Sequence, residues 1–192
     1  HTINASTFTS MVTSSTLASP TQVIASAIGF LSGPLHGGAN QKVILMLEEM
    51  GSKDNARAWL EERLSKKQVV WGMGHREYST KDPRANILTE MVKDLFKEQS
   101  GKVSDMFEKA MELEKACEEK LAKKGVYANV DFYSGILYKE IGIPVDLFTP
   151  IFAISRTSGW LAHWIEQVSN NKIFRPTQIY TGHDHRKYNS NT

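Results

Sequence analysis

The stretch VSDMFEKAMELEKACEEKLAKK, residues 103–124, indicates the fold class more clearly than any other part of the sequence. Its apolar residues recur three or four positions apart, which places them on one side of an α-helix. Opposite charges four positions apart, such as Asp105 and Lys109, support the same helix. We interpret its many charged residues as a solvated face. The apolar stripe consists of Val103, Met106, Phe107, Ala110, Leu113, Cys117 and Leu121.

Helical spacing continues on both sides of this stretch. Only residues 68–73 favour a strand, and the segment is short. Residues 148–154 are apolar nearly all round, which predicts deep burial. The sequence therefore predicts an all-α fold. Besides residues 103–124, helices are expected at about 4–17, 21–31, 39–50, 54–64, 84–97, 133–141 and 146–168.

The composition argues against several classes of protein. The 192 residues are 41% hydrophobic, which is enough for a real core. The net charge is only +2 with both signs mixed along the chain, so we expect neither nucleic-acid binding nor membrane association. Cys117 is the single cysteine, which excludes an internal disulfide and favours a cytoplasmic location. Because the chain begins at His1 and not at a methionine, we expect a cut or processed amino terminus.

His36 lies in the turn GPLHGG, residues 33–38, just before a predicted helix. The positive end of a helix dipole disfavours a protonated imidazole. A neutral imidazole there could donate one hydrogen bond to a developing oxyanion. Alternatively, the glycines only form a tight corner between two helices, and the local sequence favours neither interpretation.

His75 follows two glycines in GMGHR, residues 72–76. The glycines predict a backbone that a ligand can approach, such as a nucleotide ring or a pantetheine arm. The segment is not a P-loop, because it lacks the Gly-Lys-Ser/Thr ending. Arg84 follows at a predicted helix start, where it either binds an anion or forms a surface ion pair.

Asp131 stands between Val130 and Phe132. Partial desolvation there would raise its pKa toward the range of a general base. The alternative is that Asp131 caps the following helix, and the local sequence favours this cap.

Two arginines stand in apolar or uncharged surroundings. Arg156 ends the run FAISR, residues 152–156, and a buried arginine requires an anionic partner. Arg175 lies in an otherwise uncharged stretch, and arginine suits two-pronged binding of a carboxylate. With the histidines and Asp131, these cations favour proton abstraction next to a carbonyl while a second reactant is held by its carboxylates. No zinc-ligand spacing is present, so no metal is expected, and we interpret the triplet 183–185 (HDH) as surface.

Six blocks of sequence in the same order resemble citrate synthases, and the likeness covers nearly the whole chain. The bacterial form of the family is the nearest likeness, within it the cyanobacterial branch. The blocks are NASTFT (4–9), GPLHGGAN (33–40), GMGHREYSTKDPR (72–84), NVDFYSG (129–135), LFTPIFAISRTSGWLAHWIEQ (147–167) and FRPTQIYTG (174–182).

The resemblance implies an all-α homodimer whose small domain closes over the substrates. Residues 1–50 would belong to the large domain, 51–146 would form the small, CoA-binding domain, and 147–192 would supply a return helix and a carboxy-terminal arm. The amino-terminal half of the family's chain has no counterpart in this sequence. We therefore expect exposed apolar surface on the helices within 4–31 and 148–164.

The resemblance also implies that acetyl-CoA, a substrate and not a cofactor, condenses with oxaloacetate to give citrate and CoA, the entry step of the tricarboxylic acid cycle. Asp131 matches the base that removes a methyl proton, and His36 matches the group that stabilises the enol. His75 matches the group that protonates the oxaloacetate carbonyl, and citryl-CoA is then hydrolysed. The oxaloacetate-binding residues would be His1, Arg84, Arg156 and, across the dimer interface, Arg175; Gly72, Met73 and Gly74 would face the CoA adenine.

Three alternatives stay open. A 2-methylcitrate synthase would use propionyl-CoA with the same catalytic groups, a difference of about 1–3 kcal/mol in one small pocket. The chain could also be an inactive remnant that serves in binding or assembly, or a module of a citrate lyase. Trp71, Met73 and Ser79 depart from the family's usual residues, which we expect to alter CoA affinity and not the acid-base groups.

Overall fold

A computed structural model describes residues 3–75, 79–99 and 102–186. Within these ranges the secondary structure is helical and contains no strand, so the predicted all-α class is confirmed. The predicted helices occur, with boundaries within about three residues. The helices are α1 (Ala5–Ser14), α2 (Pro20–Leu31), α3 (Ala39–Met50), α4 (Ala56–Ser65), α5 (Pro83–Gln99), α6 (Asp105–Leu121), α7 (Val130–Glu140) and α8 (Phe148–Ser169), with 3₁₀ turns at Lys53–Asn55, Ala122–Lys124 and Val145–Leu147.

The strand expected at residues 68–73 is wrong. Met73 forms only an isolated antiparallel bridge with Ala128. Gly72 and Gly74 have φ angles of 78° and 85°, which end any extended run. A Cβ on Gly72 would lie 2.9 Å from the Cα of Phe132. The glycine therefore lets this segment pass directly against α7.

Side-chain caps determine where several helices begin. Ser19 forms a reciprocal capping box at the start of α2, and Ser104 accepts a hydrogen bond from the backbone of α6. Asn129 caps α7 by accepting from the backbone N–H of Asp131 at 2.9 Å. The interpretation of Asp131 as the cap is therefore wrong, and its carboxylate lies in the first turn of α7.

Two hydrophobic cores of unequal size hold the helices together. The larger core lies among α3, α4, α5, α6 and α7 and includes the buried rings of Phe107, Phe132 and Tyr133. The smaller core consists of Ala27 and Leu31 of α2 with Trp160 of α8. Burial of each large apolar side chain contributes about 1.5–3 kcal/mol, so the larger core dominates the stability of the chain.

Helix α8 is buried on one side only, so the deep burial predicted for residues 148–154 is wrong. Phe148 is fully buried, whereas Ile154 is 74% exposed. The reason is that α1, α2 and α3 pack against only part of the surface of α8. The apolar surface expected on the flanking helices is present, with exposed side chains at Phe8, Ile28 and Ile154. No helix within the described ranges is long and apolar enough to cross a membrane.

Candidate active site

A cavity of about 340 Å³ gathers side chains from distant parts of the sequence. Five of the predicted site residues border it: His36, His75, Arg84, Asp131 and Arg156. They come from the turn before α3, the glycine segment, the start of α5, the first turn of α7 and the middle of α8. The remaining lining residues are Asn4, Gly37, Val130 and Phe152.

The imidazole of His36 is held by the amino-terminal turn of α1. The backbone N–H of Ser6 donates to Nε2 of His36 at 3.2 Å, and the Ser6 hydroxyl oxygen lies 2.9 Å from the same nitrogen. Because Nε2 accepts from an amide, the proton of the neutral ring is on Nδ1. Burial lowers the pKa of His36, and the charge of Arg156 lowers it further. His36 is therefore a neutral hydrogen-bond donor at pH 7.

The pKa of Asp131 shifts upward, in the opposite direction to that of His36. Burial raises the pKa of its carboxyl to about 6, although the positive charges of Arg156 and Arg84 pull the pKa down. The nearby charge of Asp82 raises it slightly. A carboxylate with this pKa is mostly ionised at pH 7 and is a stronger base than an exposed aspartate.

Arg84 is oriented by a buried carboxylate. Its Nε and Nη2 atoms donate to the two oxygens of Asp82 at 3.0 and 2.7 Å, and its backbone N–H donates to the same carboxylate at 2.9 Å. Asp82 is only 1% exposed. Burial would raise the pKa of Asp82, but these hydrogen bonds and the charge of Arg84 hold it below its usual value. Arg84 thus forms an ion pair, but with a buried carboxylate and not at the surface as one alternative predicted, and it also borders the cavity.

Arg156 lies on α8 with its guanidinium over the ring of Phe152, 5.2 Å from the ring centroid. Burial lowers the pKa of Arg156 and the charge of Asp131 raises it. The guanidinium remains a cation, because arginine is not deprotonated in proteins. Among the described residues, Arg156 forms no ion pair with a carboxylate. Its charge is therefore available to an anion in the cavity.

The glycine segment borders the cavity through His75 and is attached to the loop before α7. Gly74 N–H donates to the carbonyl of Tyr127 at 2.7 Å, and the side chain of Asn129 donates to the Gly74 carbonyl at 2.7 Å. The Gly72 carbonyl accepts from Asn129 N–H at 2.9 Å. Gly72, Met73 and Gly74 do not line the cavity, and several of their backbone groups already have partners within the chain.

A second, wider cavity of about 1000 Å³ adjoins the first. Both cavities are bordered by Asn4, His36 and His75. The wider one is lined mainly by apolar residues of α2 and the following turn, including Phe30 and Leu35. It offers room for a long, partly apolar ligand whose end reaches His36.

Two predicted ligands are not in the cavity. Arg175 is exposed in the extended tail and borders a separate groove with Phe8, Val12 and Phe174. The resemblance assigns Arg175 to the site of a second chain, and that assignment stays a prediction. His1 lies outside the described residues.

Asn4, Ser6 and Asp82 were given no role from the sequence, yet they support the site. Asn4 caps α1 and accepts a hydrogen bond from the Ser6 hydroxyl at 2.8 Å, so it helps to hold the donor to His36. The sequence did contain signals for these roles. The NAST block, residues 4–7, contains Asn4 and Ser6, and Asp82 is an acidic residue two positions before Arg84 at a predicted helix start. In the described part of the chain, no group of three or more His, Cys, Asp or Glu side chains could hold a metal ion.

These groups suit one kind of chemistry. A carboxylate base beside a neutral imidazole donor can remove a proton next to a carbonyl, because the imidazole stabilises the charge that develops on the oxygen. Two arginines at the same cavity can hold a second, anionic reactant in place.

Comparisons with known proteins show the family of the chain. A profile described as "Citrate synthase, C-terminal domain" matches residues 1–177. The chain is 56% identical over 188 residues to a citrate synthase of Acidithiobacillus ferridurans and 55% identical over 188 residues to one of Synechocystis sp.. These alignments cover 98% of this chain but 49% and 47% of the relatives. The chain thus spans about half the length of the curated relatives it matches.

Solved structures show the same similarity. Citrate synthase from Thermotoga maritima superposes with a TM-score of 0.87 at 43% identity, covering 98% of this chain and 51% of that one. A ternary complex of citrate synthase from Thermoplasma acidophilum with carboxymethyl coenzyme A and oxaloacetate superposes with a TM-score of 0.90 at 36% identity, covering 98% of this chain and 50% of that one. The chain therefore belongs to the citrate synthase family.

Proposed function

We propose that the full-length protein containing this chain condenses acetyl-CoA with oxaloacetate to give citrate and CoA. The observation that carries the proposal is the single cavity in which Asp131, with its raised pKa, and neutral His36 meet the cations Arg84 and Arg156. The related protein whose structure holds carboxymethyl coenzyme A and oxaloacetate supports both substrates.

The first step is removal of a proton from the methyl group of acetyl-CoA. The carboxylate of Asp131 accepts this proton, and the electron pair moves onto the thioester oxygen. His36 donates a hydrogen bond from Nδ1 to that oxygen and stabilises the enol. The contact from the Ser6 amide supports this role, because it leaves the proton of His36 on the nitrogen that is free to donate.

The second step joins the enol to oxaloacetate. The enol carbon attacks the ketone carbon of oxaloacetate, and His75 supplies a proton to the ketone oxygen as the carbon–carbon bond forms. Arg84 and Arg156 hold the carboxylates of oxaloacetate. We include His1 and, from a partner chain, Arg175 in the same binding set.

The last step is hydrolysis of citryl-CoA. Water adds to the thioester carbonyl, the carbon–sulfur bond breaks, and citrate and the CoA thiol leave. The wider cavity beside His36 and His75 suits the pantetheine arm of CoA. The backbone around Gly72, Met73 and Gly74 would face the adenine.

The working enzyme is proposed to be a cytoplasmic homodimer. The small domain would comprise residues 51–146, between large-domain segments at 1–50 and 147–192. Closure of the small domain would bring His75, Arg84 and Asp131 toward His36 and Arg156. The position of Arg175 outside its own cavity supports an arm that completes the partner's site.

The test is oxaloacetate-dependent release of free thiol from acetyl-CoA by the full-length protein. We expect Asp131→Asn to lower the rate by about 10²–10⁴-fold, the usual contribution of a general base. Asp146→Asn, a change outside the cavity, serves as the matched control and should leave the rate unchanged. No thiol release by the unmodified protein, or equal rates for both variants, would reject the proposal.

The same assay separates the alternatives. A higher kcat/KM for propionyl-CoA than for acetyl-CoA would assign the protein as a 2-methylcitrate synthase. Binding of oxaloacetate by calorimetry without any turnover would assign it as an inactive remnant.

A further inference from the structure

An ionic cluster outside the cavity, formed by a buried carboxylate and a lysine whose side chain is 26% exposed, joins α6, α7 and the segment before α5. Glu114 of α6 is 9% exposed, and its Oε2 accepts a hydrogen bond from the hydroxyl of Tyr133 at 2.5 Å. Lys81 places its Nζ 2.6 Å from the other oxygen, Oε1. The direction of this contact is that of a charge pair and not of an aligned hydrogen bond. The ammonium also lies 5.7 Å from the centre of the Tyr133 ring.

Stability alone gives little reason for pairing a buried carboxylate with a partly buried ammonium. Transfer of a carboxylate and an ammonium out of water is unfavourable, and apolar residues of similar volume often replace a buried ion pair without loss of stability. A buried pair of this kind does, however, favour one arrangement of the chain, because Glu114 is satisfied only when Lys81 and Tyr133 are both in place.

The two partners of Glu114 adjoin two groups of the cavity. Lys81 directly precedes Asp82, whose carboxylate holds the guanidinium of Arg84. Tyr133 follows Asp131 by two residues in the first turns of α7. Glu114 therefore connects the segment that positions the anion-binding cation with the helix that carries the base. Helix α6 itself contributes no residue to the lining of the cavity.

We propose that Lys81, Glu114 and Tyr133 are positioning residues that set the place of Arg84 relative to Asp131. The inference rests on the proposed function, in which Arg84 binds a carboxylate of oxaloacetate. Loss of the Lys81 charge would leave Glu114 without its counter-ion and release the segment 79–82 from α6. Asp82 would then be less firmly positioned, and so would the Arg84 guanidinium that it holds.

The kinetic test uses Lys81→Met in the full-length protein. We expect the KM for oxaloacetate to rise by about tenfold or more, as small displacements of positioning groups do. The KM for acetyl-CoA should change by less than about twofold, since Lys81 lies outside both cavities. Lys81→Arg keeps the charge and should restore most of the loss. Tyr133→Phe, which removes only the hydroxyl, should also raise the KM for oxaloacetate, but by less than Lys81→Met does.

Lys109→Met is the matched control. The Lys109 side chain is 11% exposed and forms an ion pair with Asp105 at 2.6 Å within α6, but this pair does not touch the segment 79–84. Its removal should leave the KM for oxaloacetate unchanged. If Lys109→Met and Lys81→Met give the same kinetics, or if Lys81→Met alters both KM values equally, the positioning role is wrong.

Hydrogen exchange gives a measurement that does not depend on activity. The amides of Asp82, Arg84 and Ala85 donate to Ala128 O, Asp82 Oδ1 and Asp82 O, so they report how firmly this segment is held. Lys81→Met should accelerate exchange in a peptide covering 79–85 and leave α3 unchanged. Unchanged exchange in that peptide would overturn the inference even in an active enzyme. Faster exchange there without any turnover by the unmodified protein would reject only the proposed function.

Discussion

Asp131 and His36 acquire different protonation states from the same partly buried cavity. Burial disfavours the charged form of each group, which raises the pKa of an acid and lowers that of a base. At pH 7 the pair is therefore a mostly ionised carboxylate and a neutral imidazole. The cation Arg156 lowers both pKa values, so it keeps Asp131 available as a base while it discourages protonation of His36.

The raised pKa of Asp131 predicts that its ionisation destabilises the fold. The folded pKa is about 6, against 3.8 for the ordinary group, so stability is lost as the pH rises from about 4 through 6. At pH 7 the cost is about 1–3 kcal/mol. Asp131→Asn should therefore raise the melting temperature at pH 7 and have little effect at pH 4, as measured by calorimetry. An equal shift at both pH values would contradict this account.

The same shift predicts the acid limb of the pH–rate profile. Because Asp131 must be ionised to accept a proton, kcat/KM for the acyl-CoA should fall below about pH 6. His36 must be neutral, and its pKa lies below the ordinary 6.5. A limb near pH 4 would mean that Asp131 is not desolvated in the working enzyme.

Among the elements, the glycine segment and α7 form a close contact that bears on the site. Gly72 passes against the backbone of Phe132, and Asn129 both caps α7 and donates to the Gly74 carbonyl. The helix that carries Asp131 and the segment that carries His75 are therefore held to each other by main-chain contacts. Their relative position depends on Gly72, because any side chain there would collide with Phe132.

This contact predicts a large effect for Gly72→Ala. The new Cβ would meet three atoms of Phe132 at 2.9 Å, and the φ of 78° would itself be strained. We expect a loss of more than about 2 kcal/mol in the free energy of unfolding, measured by urea titration. Gly142→Ala is the control: its φ is 85°, and a Cβ there meets nothing within 4 Å. Its cost should be only the backbone strain, about 1–2 kcal/mol, and equal losses would exclude the clash as the cause.

Over the whole chain, the two cores differ in what encloses them. Each of the helices α3, α4, α5, α6 and α7 contributes buried side chains to the larger core, whereas the core of Ala27, Leu31 and Trp160 draws on α2 and α8 alone and lies beside exposed apolar side chains such as Ile28 and Ile154. Groups at the cavity come from both regions, because His36 and Arg156 adjoin the smaller core and Asp131 and Arg84 adjoin the larger one.

We predict unequal stability of the two regions in this chain. Amides in α2 and in the middle of α8 should exchange with solvent faster than those in α6, because fewer buried apolar contacts oppose their local opening. Native-state hydrogen exchange measured peptide by peptide would test this. Equal protection of α2 and α6 would show that the chain unfolds as one cooperative unit.

The helices and the family could be recognised from the sequence because both depend on local information. The apolar period of residues 103–124 marks α6 whatever it packs against, and blocks such as NVDFYSG keep their order in the chain. The chemical types needed at the site, a carboxylate, an imidazole and cations, could also be inferred, because each depends on the side chain itself.

Other properties depend on residues that are distant in sequence, and only the tertiary structure could decide them. Residues 68–73 favoured a strand, but a strand needs a neighbour, and in the described residues only Ala128 bridges to it. The cap of α7 is Asn129 and not Asp131, because the geometry of the turn selects between two suitable side chains. The tautomer of His36 depends on an amide 30 residues away, and the pKa of Asp131 depends on burial and on Arg84 and Arg156. Desolvation and charge act through space between residues that are distant in sequence. The sequence pattern therefore could not determine the pKa of Asp131 or the tautomer of His36.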